Sequence, residues 1–281
     1  MERLQAHRKF FAELITANAG ISKTNPRLEL AFATVPRENF VGPGPWRIFT
    51  GSGSVDTPSD DPTFLYQDVV VSIAPERGIN NGQPLLHAIS IAKLNPVEGE
   101  TVLHIGAGTG YYTAILAELV GAAGSIVAYE IEPDLAARAA HNLSPWSKVV
   151  VQHRSGAEGP LPDCDAIYVS AGATAPLDVW LDALRPNGRL LFPLTSADAH
   201  GAGAMLLLTR VSPDDFHARF VSPAMFIPCV AARDENAAAR LSAAFKRGDY
   251  HKVRSLRRNS PPDESSWCAG NGWWLSTSQI P

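Results

Sequence analysis

Thr101-Val-Leu-His-Ile-Gly-Ala-Gly-Thr-Gly-Tyr-Tyr-Thr113, with Val127-Ala-Tyr-Glu130 downstream, is the stretch whose reading decides the fold. Thr101 to Ile105 reads as a short buried strand. Gly106, Gly108 and Gly110, at alternate positions, open a helix running through Ala114, Leu116 and Leu119. Glycine tolerates positive φ and lets a ligand lie against bare backbone, while the helix N-terminus aims unpaired N–H groups at it. The next strand, Ser125 to Tyr129, ends in Glu130, a carboxylate placed to accept hydrogen bonds from both ribose hydroxyls of a nucleoside cofactor. Strand, glycine turn, helix, strand and acid together predict a ligand with a ribose.

Glycine spacing narrows the choice. A dinucleotide fingerprint is G-x-G-x-x-G, its third glycine packing helix on strand beside the pyrophosphate. Here the order is G-x-G-x-G followed by aromatics, which suits a cofactor without phosphate, and S-adenosylmethionine fits. NAD, and a glycine-rich turn that binds nothing, are the competing readings.

Other segments carry a resemblance. Val35-Pro-Arg-Glu-Asn-Phe-Val41, Tyr66-Gln-Asp68, Leu103-His-Ile-Gly-Ala-Gly-Thr-Gly-Tyr-Tyr-Thr-Ala114 and Phe226-Ile-Pro228 occur in that order. They resemble the Val-Pro-Arg-x-x-Phe-Val, Tyr-x-Asp, cofactor-loop and Phe-Val-Pro motifs of the protein-L-isoaspartate O-methyltransferase family. The resemblance covers about residues 28–230. It implies an α/β, Rossmann-like S-adenosylmethionine-dependent methyltransferase fold, a mostly parallel sheet with antiparallel edge strands. It also implies Gly106, Ala107 and Gly108 beside the methionine portion and Glu130 on the ribose.

Composition sets outer bounds. The 281 residues, 45% hydrophobic and 19% charged, describe a globular protein with enough material for a sizeable core. A net charge of −4 gives no general attraction to nucleic acid or to a membrane. Cys164, Cys229 and Cys268 are far apart and odd in number. They form neither a disulfide framework nor a metal-ligand spacing, so buried or free thiols in a reducing, cytoplasmic compartment are expected. His141 and His153 have no partners at ligand spacing, so no metal site is expected. The charged N-terminus lacks the apolar core of a signal peptide, and no apolar run is long enough to span a bilayer.

Along the chain, apolar positions predict an amphipathic helix over residues 1–19 and a second over 27–34, stopped by Pro36. Residues 42–63, rich in Gly, Pro, Ser and Asp, read as a surface loop. Val69–Ile73 is a strand candidate, and Pro84 begins a helix reaching Leu94. Strands near 101–105, 125–130, 148–152, 165–170 and 188–193 alternate with helices, the mark of a parallel sheet. Met205–Val211 and His217–Phe226 read as an edge hairpin. Beyond, Ala231–Phe245 reads as a helix, Lys246–Arg258 as a solvated basic face, and the tryptophans as packing groups. Three regions follow: 1–78, helical with an acceptor-side loop; 79–230, the methyltransferase core; and 231–281, a C-terminal extension.

Methyl transfer from a sulfonium is an in-line displacement, for which the protein supplies alignment and exclusion of water. A carboxylate acceptor is already ionised at neutral pH; a hydroxyl or amine usually needs a base. No Lys–Asp, His–Asp or metal constellation is evident, which favours a carboxylate. The family brings acceptor and methyl together at an Ile-Ser-x-Pro segment, where this chain has Ile79-Asn-Asn-Gly-Gln-Pro84. Aligned on Pro84, the serine position is Gly82, a departure that bears directly on isoaspartyl repair. His87 matches a family histidine five residues after that serine, and is a cofactor or acceptor contact by resemblance. Asn80 and Asn81 have amide donors for a carboxylate, although Asn-Asn-Gly is also an ordinary turn sequence. Where the family has Gly-Asp-Gly beside the adenine, this chain has Arg154-Ser-Gly156, leaving Ser155 and Gly156 to border it. His104 replaces an acid before the glycine loop. Ser170–Pro176 lies at the carboxyl edge of the sheet, where open α/β folds bind ligands.

The expectation is an S-adenosylmethionine-dependent O-methyltransferase acting on a peptide or protein carboxylate of isoaspartyl type. The catalytic segment is Asn80, Asn81, Gly82 and His87, and the cofactor residues are Gly106, Ala107, Gly108, Glu130, Ser155 and Gly156. Two alternatives stay open: the same fold acting on another peptide or small carboxylic acid, and a catalytically silent cofactor- or partner-binding module. Acidity and the lack of an Asn-Pro-Pro-Tyr-like motif argue against nucleic acid as acceptor.

Overall fold

The computed structural model describes residues 2–50, 52–196 and 203–280. Met1, within the first predicted helix, and Gly51, within the predicted loop, lie outside them. In chain order come α1 (Glu2–Asn18), α2 (Pro26–Thr34), β1 (Arg47–Thr50), β2 (Gly53–Asp56), β3 (Val70–Ala74), β4 (Ile79–Asn80) and α3 (Pro84–Leu94). Next are β5 (Thr101–Ile105), α4 (Tyr111–Val120), β6 (Ser125–Glu130), α5 (Pro133–Asn142), β7 (Val149–His153), β8 (Cys164–Val169) and α6 (Asp178–Asp182). The chain continues through β9 (Leu184–Thr195), β10 (Gly203–Arg210), β11 (Asp215–Pro223), α7 (Glu235–Arg247), β12 (Ser255–Arg258), β13 (Ser266–Ala269) and β14 (Trp273–Ser276). These elements form two compact units, one of Met1–Gly99 with Ala107–Arg154, the other of Glu100–Gly106 with Ser155–Pro281.

In the first unit the predicted N-terminal helices are present as α1 and α2. Asn25 caps α2 by accepting the Leu28 N–H at 3.1 Å, and Pro26 fills a first-turn position that needs no donor. Phe11 of α1 meets the Phe32 and Tyr66 rings edge-on, at centroid distances of 6.2 and 5.7 Å. The stretch predicted to be a loop is folded more tightly. Arg47–Thr50 and Gly53–Asp56 pair antiparallel as β1 and β2, and β1 also pairs β3, giving a sheet of order β2-β1-β3-β4. Four-residue strands among glycines and serines carry too little periodicity to read from sequence, and Trp46 supplies the missing signal. Its indole is buried with Val41, Leu65, Val71 and Ile73 and donates to the Gly42 carbonyl at 2.9 Å.

Arg37, the cation of the Val-Pro-Arg motif, is fully buried. It donates to the carbonyls of Leu65 at 2.7 Å, Gln67 at 2.9 Å and Val69 at 2.6 Å. The motif is thus structural, tying residues 35–41 to the segment that enters β3. At the end of that segment Asp68 accepts the Leu85 N–H and the Gln83 side-chain amide, each at 2.8 Å, and so caps α3. The parallel pair β6–β7 completes the unit's strands.

The second unit is an eight-stranded sheet in the order β5-β8-β9-β10-β11-β12-β14-β13. Pairing is parallel from β5 through β9 and antiparallel from β9 outward. The predicted hairpin is β10–β11. Its outward neighbours come from the C-terminal extension, which therefore continues the sheet. The helix expected from Ala231 starts instead at Glu235, because Asp234 accepts the Ala237 N–H at 2.6 Å and caps it there. The basic run is not one solvated helix face. Lys246 and Arg247 close α7, whereas Ser255–Arg258 is strand β12. There the Arg257 guanidinium lies 5.0 Å from the Trp274 ring centroid, and Arg258 pairs with Asp178 and Asp182. Trp267, Trp273 and Trp274 are all buried.

Because Trp274 is only 2% exposed inside a paired strand, Trp274→Ala is expected to lower unfolding free energy by about 3 kcal/mol or more. Urea denaturation measures it; a loss under about 1 kcal/mol would mean that the extension packs loosely.

Candidate active site

The glycine turn is built as its sequence requires. Gly108 has φ +57°, in the left-handed region that disfavours any side chain, and Gly106 has φ +77°. The Ala107 N–H donates to the Tyr129 carbonyl at 3.1 Å, which lays the turn against the end of β6. Next to it Glu130 is buried, 6% exposed. One carboxylate oxygen accepts the Gly108 N–H at 2.6 Å and the other the Glu132 N–H at 3.0 Å. Burial raises the pKa of Glu130 above the usual carboxylate value, and the backbone donors of Glu132, Gly108 and Ile131 work against that rise.

The other predicted residues of the first unit cluster at the entry to α3. The Asn80 side-chain oxygen accepts the Gly82 N–H at 2.9 Å, so Asn80 closes the turn that its sequence suggested. Asn81 is buried, and its side-chain oxygen accepts the Val71 N–H at 2.9 Å. Its amide nitrogen is buried without a hydrogen-bond partner. Gly82 has φ +71°, and a Cβ built there would stand 2.2 Å from Nε2 of His87. The His87 ring is itself buried and stacks on Tyr112 with centroids 3.6 Å apart and planes 6° from parallel. The Tyr112 hydroxyl donates to the Gly82 carbonyl at 3.4 Å.

Gly106, Ser155 and Gly156 belong to the second unit. A Cβ on Gly106 would touch the backbone of Ser170 at 3.4 Å. The Ser155 hydroxyl accepts the Ala157 N–H at 3.2 Å, and the Gly156 carbonyl accepts the Trp180 indole N–H at 2.8 Å. His104 is buried, with Nε2 3.0 Å from the Ser170 hydroxyl and its ring 5.4 Å from that of Tyr168. Burial drives its pKa down to about 3. A neutral imidazole therefore stands where the family resemblance had placed an acid.

Two contributors carried no assigned role in the sequence reading. Tyr112 was visible only as half of a double tyrosine, since its partners lie 25 and 30 positions away. Asp68 was visible only as a motif residue, since the Gln83 and Leu85 groups it accepts from lie 15 and 17 positions further on, too far for a local capping signal. Among the described residues no three or more His, Cys, Asp or Glu side chains could together hold a metal ion. No described helix is long and apolar enough to cross a membrane.

A parallel α/β frame, a glycine turn that opens a helix and a buried carboxylate ending the next strand are features of nucleoside-cofactor folds, and the sequence and structural likenesses place this one in the S-adenosylmethionine-dependent methyltransferase class. A sequence model described as protein-L-isoaspartate(D-aspartate) O-methyltransferase matches residues 55–234. The chain belongs to the protein-L-isoaspartate O-methyltransferase family. It is similar to that enzyme from Rhodopseudomonas palustris, 30% identical over 210 residues, covering 74% of this chain and 87% of the relative. It is likewise similar to the Methanopyrus kandleri enzyme, 29% identical over 209 residues, covering 73% and 83%. A solved protein-L-isoaspartate O-methyltransferase superposes with a TM-score of 0.65 at 21% identity, covering 85% of this chain and 69% of its own. A Plasmodium falciparum structure named for the same activity, in complex with S-adenosyl-L-homocysteine, gives 0.62 at 18% identity, covering 79% and 97%. Those structural likenesses carry the fold.

The depressed pKa of His104 has a pH consequence. Unfolded chain binds a proton near pH 6.5 that the folded chain refuses until about pH 3. Stability from this group is full above the unfolded value and declines, by up to about 1.4 kcal/mol per pH unit, as pH falls through that window. Thermal melts from pH 7 to 4 are expected to show a steeper acid loss for wild type than for His104→Leu; parallel curves would contradict it.

Proposed function

We propose that this chain transfers the methyl group of S-adenosylmethionine to a side-chain carboxylate of a peptide or protein, the isoaspartyl carboxylate being the acceptor. The observation that carries the reading is Glu130 with its two backbone donors beside the glycine turn. A carboxylate has about four acceptor sites. The Gly108 N–H at the turn and the Glu132 N–H after the strand each take one site on a different oxygen, and the remaining acceptor capacity is proposed for the ribose. Gly106, Ala107 and Gly108 are proposed for the methionine portion, and Ser155 and Gly156 for the adenine, from the sequence pattern.

The cofactor supplies an activated methyl on a sulfonium. The chain's own residues hold and orient: Glu130 grips the sugar, and the Asn80–His87 segment faces the acceptor. An ionised carboxylate attacks without a general base. The absence of a side chain at Gly82 favours a second acceptor reading, another peptide carboxylate or a small carboxylic acid. Location in the cytoplasm is part of the proposal, supported by three buried cysteines that form no disulfide.

Methyl-labelled cofactor, offered with an isoaspartyl peptide and with the same peptide carrying normal aspartate, tests the reading. Label is expected only in the isoaspartyl peptide, released as methanol by mild base as an ester should be. Equal labelling of both, or of neither, would overturn it.

Replacing Glu130 by Ala should weaken cofactor binding by about tenfold to a hundredfold through the lost charged hydrogen bonds. Calorimetric titration with S-adenosylhomocysteine reads this directly, and an unchanged affinity would remove Glu130 from the ribose.

A further inference from the structure

The residue that replaces the family serine cannot be treated as a simple loss. Gly82 sits at φ +71°, and the space a side chain would need is filled by the edge of the His87 ring, 2.2 Å from Nε2, 2.9 Å from Cδ2 and 3.3 Å from Cε1. Atoms at such distances cannot coexist, so a side chain at 82 and the present position of His87 exclude one another. Stacking on Tyr112, with ring centroids 3.6 Å apart, keeps the ring in place. The phenol also donates to the Gly82 carbonyl at 3.4 Å, so one side chain braces both the ring and the turn beside it. From below, the His87 N–H is bonded to the Gln83 carbonyl at 3.1 Å, in the first turn of a helix capped by Asp68.

Resting on the carboxylate-methylation reading above, we propose that the His87 imidazole takes over the acceptor-facing place of the serine hydroxyl, and that Tyr112 is its positioning residue. The ligand chemistry follows. An imidazole N–H donates to a carboxylate oxygen as a hydroxyl does, but from a rigid plane held at one tilt. Glycine at 82 is then the requirement of this arrangement rather than its defect. A tyrosine that fixes the plane decides how accurately an acceptor oxygen is aimed, while taking no part in gripping the ribose.

Kinetics on the full chain with an isoaspartyl peptide test the proposal, with S-adenosylhomocysteine affinity measured in parallel. Tyr112→Ala is expected to raise the acceptor KM by about tenfold or more while the cofactor Kd stays within about twofold. Tyr112→Phe, which keeps the stack, should recover most of that loss. His87→Ala should cost about a hundredfold in kcat/KM, with partial rescue by His87→Gln, which keeps a donor. An acceptor KM unchanged in Tyr112→Ala would overturn the positioning role and leave the proposed activity standing.

If wild type binds cofactor but transfers no methyl, the activity reading fails instead. Peptide binding to the protein loaded with S-adenosylhomocysteine then decides, because dependence on His87 supports the proposal and its absence overturns it. The steric premise has its own check. Gly82→Ser should lower the melting temperature by about 5 °C and adding His87→Ala should restore part of it; no change in either variant would refute the exclusion.

Discussion

A carboxylate buried without a cation depends on donors from the backbone, and Glu130 is held in that way. Its two oxygens take the N–H groups of Gly108 and Glu132, one from the glycine turn and one from the residues that follow its own strand. The same two bonds therefore define the turn and orient the acid. Burial still leaves its pKa raised, so the site keeps a strained charge ready for hydroxyl donors that would relieve it. The grip proposed for the ribose follows from that unfinished solvation.

What could be read from sequence follows the range over which the deciding physics acts. The strand–glycine–helix–strand–acid unit was legible because each part is local: alternating glycines, an apolar run, one acid at a strand end. Strand β5, helix α3 and strand β6 begin and end where the pattern placed them. Hairpin β1–β2 was not legible, because short strands between glycines gain their order from Trp46 and its buried neighbours. Strand β12 hid behind its arginines, whose charges are met by Asp178, Asp182 and the face of Trp274. In the candidate site, Gly82 and His87 stood out as separate departures and matches. Their mutual exclusion needed coordinates, since it depends on a ring held from position 112.

The Val-Pro-Arg and Tyr-x-Asp motifs acquire a physical meaning that does not involve the reaction. Arg37 satisfies three carbonyls of the chain entering β3, and Asp68 caps the helix that carries His87. A buried guanidinium and a helix cap set the path of the segment on which the acceptor-side residues stand. Motif residues far from any chemistry can thus control it through backbone placement alone.

The extension also changes where the sheet of the second unit ends. Without it the margin would be β11, a nine-residue strand; with it, β12 pairs residues 215–217, and Phe220 further along β11 packs against Phe245, Tyr250 and Trp267. The outermost strand is β13, four residues long and interrupted by a register shift between Ser266 and Cys268. Short, irregular borders are poor templates for strand-to-strand recruitment of other molecules. The tail that seemed merely appended acts as a selvedge, leaving a short, irregular strand at the border of this sheet in place of β11.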